Sequence, residues 1–420
     1  MKFKTSFIIY TIASFLNAGV PFLLLPILTK LLSPEQYGIL TLYTVFIALF
    51  SPIISLNIMS PLQISYTNLN QREFASYFSS ILTIPIIMFV FSIVFLTVFS
   101  ATLLHLSHIS LIMLYTLPII LLFQVFPKLV TSIYQITEQP IKYAIYQLSF
   151  AVMNISFTLY FLYAYHASWE SRVIAILFTN IFFTFISLYI FKRMDLYTKN
   201  LKKEYFIDAI KIGAPLIIHI ISAVLFQMSD RLFIQYFKGD YELGIFAVGA
   251  QIGMIALIIQ QAFMQAWLPY LFKNLKLNTS ASKIKIVQLS YISIILFMIM
   301  PFLIELASIP IFIFFIDSKY EYAQQYVFWV ALGYAFLGIY KIFSGVILFK
   351  KKTSYLAWIS LFSLGINLIF NYLFIKCYGT IGVTYATALT MMTFAIIVII
   401  VANRLFKLPW FDFNILKGRK

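Results

Sequence analysis

The sequence predicts an all-α, polytopic membrane protein of about twelve transmembrane helices, and three observations predict it. Of its 420 residues, 62% are hydrophobic and only 10% are charged, against roughly a quarter charged in a soluble domain. The apolar residues gather in uncharged runs of about twenty, the length of helix that crosses a hydrocarbon core of ~30 Å. Strict alternation in segments of about ten, the mark of a transmembrane barrel, is missing.

The spans fall at 6–31, 38–65, 77–103, 109–131, 142–165, 171–191, 208–236, 242–270, 285–315, 323–349, 354–376 and 380–403. The first follows Lys2 and Lys4 in the manner of a secretory signal. It is too long for a signal's apolar core and has no small-residue cleavage site, so it reads as a true span. With the amino terminus inside, alternate loops hold about 23 of the 30 basic residues, notably Lys192 to Lys211, Lys273 to Lys285, Lys350 to Lys352 and Arg404 to Lys420. This bias orients the chain in a cell membrane with both termini cytoplasmic. It also accounts for the net charge of +16 without a nucleic-acid partner.

The longest charged connection, KRMDLYTKNLKKEYFID from Lys192 to Asp208, lies near the middle. It divides the chain into a six-helix half at 1–191, a basic linker at 192–207, a second six-helix half at 208–403 and a tail at 404–420. The halves echo one another. Ser33-Pro34-Glu35-Gln36-Tyr37-Gly38-Ile39 resembles Gly239-Asp240-Tyr241-Glu242-Leu243-Gly244-Ile245, and the loop before Tyr143 resembles that before Tyr355. Six spans return the chain to its starting side, so the repeats would be parallel about the membrane normal, two pseudo-repeated bundles around a central cavity.

No segment outside the spans exceeds about twenty residues, and the phosphate-binding loop, nucleotide fingerprint, nucleophile elbow and zinc-protease helix are all missing from the sequence. Covalent chemistry and ATP-driven export therefore have no visible equipment, and no cofactor is expected. The single cysteine, Cys377, excludes a thiolate-rich metal site, and His105 with His108 reads as a wet interfacial pair rather than a metal site.

Ionisable residues inside spans cost at least a few kcal/mol near the bilayer centre, so each needs a polar partner or a watery cavity. The candidates are Lys30, Lys128, Asp230, Arg231, Glu305 and Lys341. Lys30 and Lys128 lie close enough to span ends to snorkel, and Asp230 and Arg231 can neutralise one another. Lys341 has eight apolar or small residues between it and the Lys350 cluster, roughly 13 Å along a helix. That depth aims it at a central cavity. Cations outnumber anions in this set, which suits a substrate with a phosphate group, whereas Glu305 and Asp230 are the candidates for proton or sodium coupling. Pro301 and Pro310 bracket Glu305, and predict a kinked or broken helix there. Gln261 and Gln265 share a helix face and Asn367 lies within a span; each can serve as interhelical glue or contact sugar hydroxyls.

The stretch LLLPILTKLLSPEQYGILTLY, Leu23 to Tyr43, resembles the amino-terminal signature of polysaccharide-export flippases in the multidrug/oligosaccharidyl-lipid/polysaccharide (MOP) superfamily. Ser229 to Gly253, Gln261 to Phe272 and Ile366 to Thr390 fit the same family in order and spacing. Trp169 departs from it, standing where the repeat and the family lead one to expect glycine. The resemblance implies an O-antigen or similar repeat-unit translocase, which moves an undecaprenyl-diphosphate-linked oligosaccharide from the cytoplasmic to the periplasmic leaflet by alternating access. It places Lys30 at the family's basic position after the first span, and Asp230 with Arg231 at its acidic-basic pair. A polysaccharide polymerase and a chain-length regulator are the partners it implies. Two other readings stay open, an ion-coupled multidrug antiporter of the same superfamily and, less favoured, a membrane acyl- or glycosyltransferase.

Overall fold

The computed structural model describes residues 3–107 and 109–410, with side chains for 8–100, 109–352 and 354–410. It contains helices and no strand among the described residues. In chain order these are α1 (Phe3–Leu31), α2 (Pro34–Ser55), α3 (Met59–Asn68), α4 (Gln71–Ile81), α5 (Thr83–Ser107), α6 (Leu111–Ile136), α7 (Pro140–Ala164) and α8 (Trp169–Arg193). There follow α9 (Lys203–Gly253), α10 (Ile255–Leu277), α11 (Ser280–Phe315), α12 (Gln324–Phe349), α13 (Thr353–Tyr378) and α14 (Thr380–Leu405), with a 3-10 turn at Ser318–Ala323. The side chains of His105 and His108 lie outside the described residues.

Eleven stretches among the described residues are long and apolar enough to cross a membrane, and one of them, Lys203–Leu277, is 75 residues long. A straight helix of that length would reach about 110 Å, several times the hydrocarbon thickness. It turns back at Gly239, whose φ of 84° and ψ of −179° leave the helical region. Glycine alone adopts that conformation cheaply. The stretch thus supplies two crossings and brings the number to the twelve expected. The equivalent turn in the first repeat is built differently: Ser33 caps α2, its Oγ accepting from the Gln36 backbone N–H at 3.3 Å, with Pro34 opening the helix.

Two compact units divide the chain, Met1–Met228 and Ser229–Lys420, so the first unit extends beyond the basic linker at 192–207. Three serines of α4 explain why. Ser79 Oγ donates to the Leu196 carbonyl and accepts from the Thr198 N–H, Ser80 Oγ accepts from the Lys202 N–H, and Ser76 donates to the Asn200 carbonyl. Tyr77 donates to Asp208 at 2.8 Å, and a Cβ on Gly213 would lie 2.2 Å from the Leu56 carbonyl oxygen. Charge made this segment look like a tether. Its backbone groups, which need partners wherever they leave water, are satisfied by α4 instead.

Within each unit the same helix pairs meet. α6 packs on α8, α2 on α6, α5 on α6 and α7 on α8, while α12 packs on α14, α10 on α12, α11 on α12 and α13 on α14. α11 runs unbroken through Pro301 and Pro310, so these prolines interrupt hydrogen bonds without ending the helix. Trp169 opens α8 as a buried residue against Tyr43, whereas α14 follows Gly379 at φ 71°. A bulky ring fills the corner that the other repeat turns with a glycine.

Candidate functional site

In the second unit a buried polar cluster joins α9, α13 and α14. Asn367 and Asn371, one turn apart on α13, are fully buried, as is Ser229. Ser229 Oγ donates to Asn367 Oδ1 at 2.8 Å and accepts from Asn371 Nδ2 at 3.2 Å, and Asn367 Nδ2 donates to Thr387 Oγ1 at 3.3 Å. Thr387 Oγ1 in turn lies 3.2 Å from Asp230 Oδ1, to which it donates. A carboxylate in a membrane helix persists only where donors replace its lost water, and hydroxyl and amide groups do so here.

Arg231 follows Asp230 and points elsewhere, because successive side chains on a helix diverge by about 100°. Its Nη2 approaches Met254 Sδ at 3.9 Å and its Cζ stands 5.9 Å from the Phe246 ring centre. Tyr334 of α12 is within electrostatic reach of both Asp230 and Arg231. Lys341 lies seven residues further along α12 on the same face, about 10 Å away by helical rise. Its Nζ donates to Gln260 Oε1 at 3.4 Å. The structure therefore brings Asp230, Arg231 and Asn367 into one neighbourhood and sets Lys341 two turns beyond it.

Gln260 is fully buried, and its Nε2 has no hydrogen-bond partner. An orphan donor of this kind costs ~1–3 kcal/mol unless a water or ligand oxygen meets it. Gln261 and Gln265 share a face, as their spacing requires, and both are exposed. The buried amide of α10 is their neighbour Gln260. Periodicity shows that these glutamines occupy different faces but not which face the rest of the unit covers.

Glu305 sits apart from this set. It is half-buried on α11, takes a backbone hydrogen bond from Phe328, and its Oε2 has no partner. Phe328 and Lys341 are 13 residues apart on α12, about 20 Å, so the lysine does not neutralise this carboxylate.

The first unit has its own charged positions. Lys30 is exposed in the last turn of α1. Lys128 is exposed on α6 and its Nζ donates to Ser51 Oγ of α2 at 2.9 Å and to Gln124 Oε1 at 3.0 Å. Arg172 was not among the residues singled out from sequence, since it falls at the very start of a span. The structure draws it inward from α8 onto α7, where Nη1 donates to Asn154 Oδ1 at 3.0 Å and to Thr158 Oγ1 at 2.6 Å. Asn154 Nδ2 continues the network to Thr179 at 3.4 Å. The signal lay in the pairing of a span-end arginine with the polar Asn154 and Thr158 one turn apart on the preceding helix.

Residues 3–275, nearly two thirds of the chain, match the family described as Polysaccharide biosynthesis protein. The chain belongs to that family. A second match, to the MatE family, covers residues 215–373. Among relatives of this family member, an Lsg locus protein of Haemophilus influenzae is 26% identical over 94% of this chain and 92% of its own length. A membrane protein of the same organism is 33% identical over 64% of this chain and 65% of its own. The fold is shared with solved transporters. An inward-facing multidrug resistance MATE family transporter of the MOP superfamily superposes with TM-score 0.74 at 12% identity, covering 96% of both chains. The lipid II flippase MurJ in an inward closed conformation does so with TM-score 0.72 at 15% identity, covering 94% of this chain and 87% of that one. The family member thus has the all-α, twelve-span architecture that its sequence predicts, the fold of these solved transporters.

Proposed function

We propose that the protein is a flippase for an undecaprenyl-diphosphate-linked oligosaccharide, an O-antigen or similar repeat unit, carried from the cytoplasmic to the periplasmic leaflet of a bacterial inner membrane by alternating access. The observation that carries this reading is the family match over residues 3–275. The side chains of the second unit support it. Lys341 offers an ammonium and Gln260 an unspent amide N–H side by side, and both are donors to the oxygens of a phosphate or a sugar. Arg231 adds a second cation within two turns of α12. Unaided, a hydrated glycan cannot be drawn through hydrocarbon at any useful rate, because each polar group would lose its water without replacement. Shielding the head group is therefore the whole of the catalysis, and no covalent step or cofactor is required.

A second reading, an ion-coupled drug antiporter, rests on the MatE match over residues 215–373 and on the buried carboxylate of Asp230. Reconstituted proteoliposomes separate the two. Flipping of a fluorescent undecaprenyl-diphosphate oligosaccharide that a cationic dye does not inhibit supports the flippase. Gradient-driven efflux of the dye without any flipping would replace it with the antiporter. A polymerase and a chain-length regulator would take up the product, in keeping with the biosynthetic family.

A further inference from the structure

An apolar slot of about 160 Å³ lies between α2, α5 and α6 in the first unit, lined among others by Phe50, Ile54, Phe91, Phe95, Leu117 and Leu121. Of its lining residues only Ser92 is polar, and the Ser92 hydroxyl is spent on the Phe89 carbonyl at 2.7 Å. A dry apolar cavity of about 150 Å³ accepts a six-carbon ring, so this slot has the size for one short segment of a hydrocarbon chain. Phe91 and Phe95 are exposed on its α5 side, and a chain in the bilayer can therefore enter it sideways.

One end of the slot adjoins a cluster of polar groups on α2 and α6. Ser51 is flanked on α2 by the lining residues Phe50 and Ile54. Leu117, Leu121, Gln124 and Lys128 follow one another along a single stripe of α6, since steps of three and four residues keep to one helix face. Gln124 is one turn beyond Leu121, about 5 Å, and Lys128 one turn further. Ser51 and Gln124 hold the Lys128 ammonium by two of its three N–H groups, and the third is directed at neither. A cation with one donor in reserve thus stands at the edge of a hydrocarbon slot.

We propose that this cleft seats the lipid anchor of the transported substrate, with a phosphate on Lys128 and the adjoining isoprenoid segment in the α2–α5–α6 slot. The proposal deepens the flippase reading and rests on it for the kind of lipid. Charge complementarity selects an anionic lipid over a neutral one, and the slot selects a chain over a soluble phosphate.

The test is photolabelling of the purified full-length protein with a diazirine-bearing polyprenyl phosphate, followed by peptide mapping. Wild type should be labelled on α2, α5 or α6, and undecaprenyl phosphate should compete while undecaprenol and phosphatidylglycerol at equal concentration do not. Lys128→Gln should weaken labelling about tenfold, the scale of one lost charge-assisted contact, and Lys128→Arg should restore most of it. Ser92→Phe, which fills the slot, should abolish it. Melting temperature and elution profile establish that each variant is folded, and the arginine variant carries the charge test should the glutamine variant prove unstable. Labelling unchanged by Ser92→Phe, mapped to other helices, or competed equally by phosphatidylglycerol overturns the proposal. If wild type flips the lipid-linked oligosaccharide while the cleft stays unlabelled, the anchor site falls alone. If flipping also fails, the flippase reading falls with it.

Discussion

The two units place their polar residues at matching positions and then use them differently. Lys128 and Lys341 are 213 positions apart, as are Asn154 and Asn367, nearly the displacement that relates Tyr143 to Tyr355. Each lysine is on the fourth span of its half and donates to a polar side chain of the second, Ser51 in one case and Gln260 in the other. Around Lys128 the seam is open and leads to an apolar slot. Around Lys341 it is closed: Phe297 of α11 is buried, and Gly338 leaves so little room that a Cβ there would lie 2.9 Å from the Phe297 ring and 3.1 Å from Gln260 Cγ. The residue matching Gly338 in the first unit is the buried Val125.

The networks on the fifth and sixth spans differ in sign. Asn154 anchors a network around a cation, Arg172, while Asn367 belongs to one around an anion, Asp230. Asparagine suits both because it carries an acceptor and two donors. The lesson is that the repeat preserves where polarity is buried, and the neighbouring residue decides which charge that polarity stabilises.

The comparison predicts unequal consequences for matched substitutions. The largest is at the lysines. Lys341→Ala should abolish polysaccharide export in complementation at normal protein abundance, since it removes a half-buried cation and leaves Gln260 Oε1 without its donor, and Lys341→Arg should retain part of the activity. Lys128→Ala should lower export without abolishing it, because the lysine is exposed and water can take its place beside Ser51 and Gln124. Equal losses at the two positions would show that the open and closed seams do the same work.

Next in size, Gly338→Val gives the second unit the residue of the first. Overpacking of this kind costs ~1–3 kcal/mol, so the purified variant should melt lower than wild type; Val125→Gly should also destabilise, by ~2–4 kcal/mol, from the lost burial of the valine side chain and from helix entropy. An unaffected melting temperature for Gly338→Val would mean that Phe297 moves freely and the closed seam is not rigid.

The two networks should also respond unequally to loss of charge. Arg172→Met strands the Asn154 carbonyl oxygen and should destabilise by ~1–3 kcal/mol. Asp230→Asn keeps an acceptor for Thr387 and should cost ~1 kcal/mol or less. Thermal unfolding in one detergent compares the pair directly, and a larger loss for Asp230→Asn would show that its ionised form, rather than its shape, holds α9 to α14.

The smallest structural effect is expected at Glu305, which has one unpartnered oxygen and no counterpart in this comparison. Glu305→Gln should leave the unfolding free energy within ~0.5 kcal/mol of wild type. If this carboxylate couples an ion to transport, the variant should flip substrate without responding to an imposed proton or sodium gradient. A normal gradient response would move the coupling role to Asp230.

By itself the sequence determined the class, the number of crossings, the repeat and the family, because each depends on local quantities. Run length sets a span, basic residues mark alternate loops, and a displaced motif marks a repeat. It also drew attention to Asp230, Arg231, Asn367 and Lys341, since charge or amide in a span is costly wherever it points. Only the tertiary structure decided which of these meet. Choosing Gln260 over Gln261, drawing Arg172 inward, carrying the first unit past the basic linker on the serines of α4, and keeping α11 whole through two prolines all depend on which helix covers which face. In a chain that is apolar nearly all round, the hydrophobic pattern does not distinguish a face toward lipid from a face toward another helix, so that information resides in the packing alone.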